Sequence, residues 1–213
     1  MFMHVPGLKV VAPTNAHDAK GCLIAAIRDK NPVVFVEHRL LYTTDAPVPE
    51  DPYTVDFGKA RVVGDGDDIT LVGISYMLVE CLAAQNLLAE AGISAAVIDP
   101  VSLLPLDVDT FAESAGRTGR LLVVDNAWVT CGAGAEIVAA VCERREGASP
   151  LAVGRMGYAP TTCPTTPALE KGFYPNAATI ASKAHSIVRP DDPPWTHDVE
   201  PTLPHEAAFR GPF

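Results

Sequence analysis

The sequence predicts an α/β protein, an open and mostly parallel sheet with helices on both faces, preceded by a partial strand–helix–strand unit. Two features of pattern and one stretch carry this reading. Short, continuous apolar runs rich in β-branched residues alternate with segments whose apolar positions recur every three or four residues. Because the runs are continuous rather than alternating, they suit strands covered on both faces. The stretch Leu121–Val141, LLVVDNAWVTCGAGAEIVAAV, shows the unit most plainly, as a buried strand, a loop and a helix.

Taken in order, Pro6-Gly7 makes a turn, Leu8 to Ala12 a strand, and Pro13 its stop. Asn15 suits an N-cap, and the following helix places Leu23, Ala26 and Ile27 on one side. Asn31-Pro32 ends it, and VVFVEH is a second strand. Two parallel strands alone are not a stable sheet, so this unit is expected to need neighbours. From Leu41 to Gly66, Pro47, Pro49 and Pro52 sit among acids, which reads as a linker with a short strand pair around Tyr53 to Val63.

Ile69 to Ser75 is a buried strand, Met77 to Gly92 a helix ended by glycine, and Ala95 to Asp99 a strand. PVSLLPLD is expected to turn directly into the helix DVDTFAESAG. The strand Leu121 to Val124 should stop at Asp125-Asn126, with Gly132 and Gly134 turning the chain into a helix near Ala135. CGAGAE could hold a phosphate at a helix N-terminus. It lacks both the third glycine of a dinucleotide fingerprint and the lysine of a P-loop, and close packing of helix on sheet accounts for the glycines. A strand at Leu151 to Arg155 and a helix at Ala177 to Val188 close the domain. The proline-rich end reads as an extended tail, ordered where Trp195, Phe209 and Phe213 meet an apolar surface.

Composition narrows the function. A formal charge of −10 argues against nucleic acid or an anionic membrane as partner, and no apolar run approaches the ~20 residues of a membrane span. The first residues lack the basic and apolar blocks of a signal peptide. Five scattered cysteines without a CxxC pair read as reduced thiols of a cytoplasmic protein. His4 and His38 read as satisfied polar residues at a domain seam, Glu37 as a cap on the linker. Cys131 has no histidine in the pattern to activate it.

Four stretches together, HVPGLKVVAPTNAHDAKGCLIAAIRDKNPVVFVEHRLLY, DITLVGISYMLVECLAAQNLLAEAGISAAVIDPVSLLPLD, VVDNAWVTCGAGAEI and GRMGYAPTTCPTTPALEKGFYPN, resemble the β-subunits of thiamine-diphosphate-dependent 2-oxo acid dehydrogenases. These form the decarboxylating first component of pyruvate, branched-chain and acetoin dehydrogenase complexes, within the transketolase superfamily. The resemblance covers His4 to about Arg189. It implies a remnant of a pyrimidine-binding domain over 1–45, a linker over 46–66, a transketolase-type C-terminal domain over 67–190, and a tail over 191–213.

The resemblance also implies what this chain lacks. Glu37, Glu50 and Glu80 do not match the family's catalytic glutamate, and Gly64-Asp65-Gly66 lacks the later asparagine of the magnesium–diphosphate motif. No catalytic or cofactor-binding residue is therefore assigned. Thiamine diphosphate and magnesium would be held mainly by other chains: an α-type diphosphate-binding subunit, and a chain supplying the rest of the pyrimidine domain. The family's AIRDxNP turn implies a potassium ion at Ala26, Ile27, Asp29 and Asn31, the residues themselves being equally explained by a helix C-cap. Trp128, with Cys131 and Gly132, is expected at a subunit interface. The implied function is transfer of a two-carbon or acyl unit by a multi-chain assembly, the chain being inactive alone. The alternative is a non-catalytic scaffold or a truncated β-subunit.

Overall fold

A computed structural model describes residues 1–196. Its strands form two sheets. The first has three strands in the order β2-β1-β6, with β1 at Lys9–Val11, β2 at Val33–Phe35 and β6 at Ser102–Leu104. The second has five, β3-β5-β4-β7-β8, over Arg61–Gly64, Ala95–Asp99, Ile69–Gly73, Arg120–Trp128 and Ala152–Tyr158. In it only the edge strand β3 runs antiparallel, to β5. The open, mostly parallel sheet read from the sequence is thus present.

Helices cover both faces of the larger sheet. On one face α2 (Met77–Glu90) and α6 (Ala177–Val188) bury Leu78, Cys81, Leu88 and Ile180 against Leu71, Val97 and Leu122. On the other, α3 (Val108–Thr118) and α4 (Ala133–Arg144) bury Phe111, Ile137 and Val141 against Val72, Ile98 and Val123. This second core continues without a break into the smaller sheet through Val10, Ala12 and Leu103. Hence the two sheets share one apolar interior.

Helix α1 (Ala16–Arg28) starts as expected, with the Asn15 side chain accepting the Asp18 N–H. Its packing differs from expectation. The buried residues are Asp18, Gly21 and Cys22, and a Cβ on Gly21 would stand 2.5 Å from Val55. Leu23 and Ile27 do share a face, but it is 48% and 76% exposed. The stretch read as linker therefore lies under α1, and the apolar stripe points away from it.

Three further expectations are corrected. Residues 102–104 are not a turn into a helix: β6 pairs antiparallel with β1, so the lone strand pair gains a third member from the C-terminal half. The strand pair around Tyr53 to Val63 is the single strand β3. Asp125-Asn126 do not end β7, which runs on to Trp128 opposite Tyr158 after an irregularity beyond Val124. The partner β8 pairs with β7 on both sides of that irregularity, and pairing overrides the local turn preference. A short helix, α5 (Pro167–Glu170), was not foreseen. In the tail, Trp195 stacks on His185 at 5.4 Å, while Phe209 and Phe213 lie outside the described residues.

Candidate functional site

In the larger sheet β4 lies between β5 and β7, so the winding reverses at β4 and the crevice opens between the carboxyl ends of β4 and β7. Ligands of open α/β sheets bind at such switch points. A cleft of about 480 Å³ lies here. Its floor is Ile74-Ser75 after β4 and Asp125 to Trp128 of β7, with Thr130–Ala133 on one side and Glu37-His38 from the first unit on the other.

The two units meet at His38. Its ring stacks on Tyr76 with centroids 5.0 Å apart, its Nε2 lies 2.6 Å from the Asn126 amide, and its Nδ1 accepts the Leu40 N–H at 3.4 Å. Burial lowers its pKa, which favours the neutral ring. The expected place of His38, a polar residue at the seam, is what the geometry gives. The Tyr76 hydroxyl in turn donates to Glu80 at 2.9 Å, whose other oxygen accepts the Ala177 N–H at the start of α6. Glu37 faces Tyr42, whose hydroxyl donates to it at 3.2 Å.

Asp125 explains the glycine loop. The N–H groups of Asn126 and Ala133 point at its carboxylate and favour its charge, but burial outweighs them and raises its pKa. Gly132, the N-cap of α4, carries no side-chain cap, and a Cβ there would lie 2.5 Å from the Trp128 carbonyl oxygen. A Cβ on Gly134 would meet Val123 at 3.3 Å. The glycines permit close approach, and a carboxylate already faces the helix N-terminus, which opposes a phosphate there. Gly64-Asp65-Gly66 is likewise structural, since a Cβ on Gly66 would fall 2.2 Å from the backbone of Ala95.

Trp128 is 50% exposed. Its ring stands edge-on to Tyr158 and Phe173, and its indole N–H donates to the Thr161 carbonyl at 3.2 Å. Cys131 is exposed and left-handed at φ 58°. Trp128, Cys131 and Gly132 thus come together along one wall of the cleft. By contrast Cys22 is inert, its thiol pushed up to about 12 by burial and by Asp18. No group of three or more metal-ligating side chains occurs among the described residues.

The Ala26–Asn31 turn lies apart, at the end of α1. The Asp29 N–H donates to the Ala26 carbonyl at 3.3 Å and the Asn31 N–H to the Asp29 carboxylate at 2.9 Å, while Lys9 forms an ion pair with that carboxylate. The Lys9 hydrogen bond holds the Asp29 pKa below its usual value. Thus the turn is capped, its carboxylate is engaged, and backbone oxygens are what it offers a cation.

An ion network that sequence reading missed joins the units. Arg61 on β3 pairs with Asp18 on α1 and, at 3.1 Å, with Asp99 at the end of β5. The Thr14 hydroxyl donates to Asp99, and the Val101 N–H donates to it at 3.0 Å. Burial raises the Asp99 pKa despite these partners. These residues are 38 and 43 positions apart, which no local pattern reveals. Only Asp99, at the end of the fully buried β5, carries a local hint; Asp18, in the first turn of α1, reads as a helix N-terminal acid.

Comparison with known proteins adds the following. Residues 58–180 match the family described as transketolase, C-terminal domain, and residues 1–44 that described as transketolase, pyrimidine binding domain. The chain is 42% identical over 189 residues to the beta subunit of acetoin:2,6-dichlorophenolindophenol oxidoreductase of Cupriavidus necator, covering 89% of this chain and 56% of that protein. It is 42% identical over 180 residues to the pyruvate dehydrogenase E1 component subunit beta of Staphylococcus aureus, covering 84% of this chain and 55% of that one. The chain therefore spans about half the length of the curated relatives it matches. A solved structure titled split gene transketolase, inactive beta4 tetramer, superposes with a TM-score of 0.72 at 25% identity, over 87% of this chain and 59% of that one. A transketolase from Pichia stipitis shares the fold with a TM-score of 0.51 at 15% identity, over 88% and 26% of the two chains.

Proposed function

Because the chain belongs to the transketolase C-terminal domain family, with the end of a pyrimidine-binding domain before it, we propose that it acts as the C-terminal part of a β-type component of a thiamine-diphosphate-dependent acetoin or 2-oxo acid dehydrogenase. The observation that carries this reading is the three-stranded sheet. It holds one strand–helix–strand of the pyrimidine-binding fold, and β2 lies at its edge, bonded to β1 on one side only. Beside it α1 presents Leu23 and Ile27 to solvent. Such an edge and stripe ask for further strands and helices. They fit the remaining pyrimidine-binding elements, carried on this polypeptide or on another.

The residues present do not fit thiamine diphosphate and its magnesium. The one Gly-Asp-Gly is pressed on β5, and the α4 N-terminus faces a carboxylate. The cofactor therefore belongs with an α-type subunit and the remaining pyrimidine-binding elements, and no chemical step is assigned to this chain. Its own role is to hold the assembly together through the C-terminal domain, with Trp128, Cys131 and Gly132 at a subunit contact. A potassium ion at the end of α1 would be held by backbone oxygens of the Ala26–Asn31 turn, beside the Lys9–Asp29 pair. The free cysteines accord with a reducing cytoplasm, and no helix among the described residues is long and apolar enough to cross a membrane.

The scaffold reading keeps one observation in its favour: a relative in fold is titled an inactive tetramer. The two readings part on reconstitution. Mixed with an α-type subunit and the remaining pyrimidine-binding elements, this chain should restore dye reduction with acetoin or a 2-oxo acid as substrate. Assembly without turnover for any such substrate would favour the scaffold.

A further inference from the structure

The cleft between β4 and β7 contains polar groups that the fold itself does not use. Ser75 is 7% exposed, stands at φ 52°, and its hydroxyl has no partner among the described residues. An L-residue in the left-handed region is a strained choice that places this hydroxyl on the cleft floor. The second group is the Asn126 amide, whose Oδ1 as placed is also buried without a partner among the described residues. Both residues line the same cleft.

The tautomer of His38 decides which atom of the amide is free. A neutral imidazole carries one N–H. Nδ1 accepts the Leu40 N–H, so the proton sits on Nε2 and is donated across the 2.6 Å contact to Asn126. The structure sets the amide Nδ2 against His38 and leaves Oδ1 unpartnered. Exchanging these two nearly isosteric atoms gives the Nε2–H an oxygen to donate to and makes the NH2 the unpartnered group. The cleft therefore offers a free amide donor on β7 and, just past the end of β4, a hydroxyl able to donate or accept.

Charge and shape limit what these groups take. Among the described residues no lysine or arginine lines the cleft, and Glu37 and Asp125 do, which disfavours anions. Val10, Ala12, Ile74 and Leu103 supply apolar walls. We propose that this cleft binds a small uncharged organic molecule, with a carbonyl or hydroxyl oxygen held by Asn126 and Ser75 and its carbon part against the apolar walls. The site shares its wall of Trp128, Cys131 and Gly132 with the subunit contact proposed above, and its test reads binding by this chain alone, so it can fail without that contact failing. It depends on both units, since His38 from the first fixes the amide contributed by the second.

The test uses the full chain and ligand-observed NMR titration with acetone and butane-2,3-diol as neutral probes, and acetate and ethylammonium as charged ones. The neutral probes should bind, and acetate should not. Ser75→Gly keeps the left-handed backbone without strain while removing the hydroxyl, and Asn126→Leu removes the amide. Each should weaken butane-2,3-diol roughly tenfold, the effect of one lost hydrogen bond to a buried group. Circular dichroism and the unfolding midpoint identify folded variants, and Ser75→Gly decides the matter should Asn126→Leu fail to fold. No binding of either neutral probe, acetate binding as well as they do, or an unchanged affinity in Ser75→Gly would overturn the proposal.

Discussion

At the scale of single residues, the junction between the two units depends on charge as well as on apolar contact. Asp18 and Asp99 are 1% and 0% exposed and share the guanidinium of Arg61. Removing the cation leaves two buried carboxylates uncompensated, but the Arg61 side chain is 41% exposed and water screens part of the loss. Arg61→Met should therefore cost ~2–3 kcal/mol in chemical unfolding. A loss under 1 kcal/mol would mean that water already screens the group. Asp107 gives a milder test with a defined pH dependence. Its carboxylate caps α3 at the Thr110 N–H and also accepts the Ala60 N–H at 2.9 Å, and the hydrogen bonds hold its pKa low against the opposing effect of burial. A depressed folded pKa contributes stability that is present above the unfolded value near ~4 and is lost as pH falls through the folded one. Asp107→Ala should thus cost about 1–2 kcal/mol at pH 7, and the difference from wild type should shrink on acidification below ~4. A difference independent of pH would contradict the assignment. Both carboxylates illustrate what sequence reading could and could not give. Asn15 and Gly132 act within their own segments and were legible there, whereas Gly134, read as part of the turn, lies inside α4. The roles of Asp99 and Arg61 exist only once strands 38 residues apart are neighbours.

Among the elements, those whose signal is local were legible and those created by pairing were not. Helix α6 has the bounds that its spacing predicts, Ala177–Val188. Residues Ser102–Leu104 carry no strand signal stronger than that of a turn, and become β6 because β1 lies beside them. Asp125-Asn126 prefer a turn, yet β7 carries on through them as an irregularity between the Val124–Met156 and Trp128–Tyr158 pairings, and they line the cleft. Of the expected sites, the Trp128 wall was visible in sequence as an aromatic residue among small ones. Its aromatic neighbours Tyr158 and Phe173 come from segments 30 and more residues away. Half of Trp128 remains exposed, so Trp128→Ala should weaken association by about 2 kcal/mol, roughly thirtyfold in dissociation constant. Analytical ultracentrifugation would measure it, and unchanged association would remove Trp128 from the interface. The α1 turn is tested through the assembly's melting point. Potassium should raise it more than equal lithium or choline, by the mass-action term for a bound ligand. Because Asp29 is already paired with Lys9, Asp29→Ala should diminish that difference only in part. Equal response to all three cations would count against the site.

For the whole molecule, one interior joins the C-terminal α/β domain to a fragment of a second sheet whose outer edge is open. The fold class was legible because β4 and β5 are buried throughout and β7 over Leu121 to Val124, and continuous apolar runs report that directly. No residue of the edge strands β3 and β8, by contrast, is fully buried. The division into remnant, linker and domain was less sharp than the sequence suggested, since β6 crosses into the first sheet and β3 belongs to the second. The proposed role rests on that open edge and on the families the chain matches. The most direct measurement is therefore reconstitution: turnover of acetoin and 2-oxo acids, followed by dye reduction, for this chain alone, for an α-type subunit with the remaining pyrimidine-binding elements, and for all combined. Activity only in the complete mixture, lost when this chain is omitted, is the expected result. Full activity without this chain, or no association between it and the other components, would contradict its place as part of a β-type component.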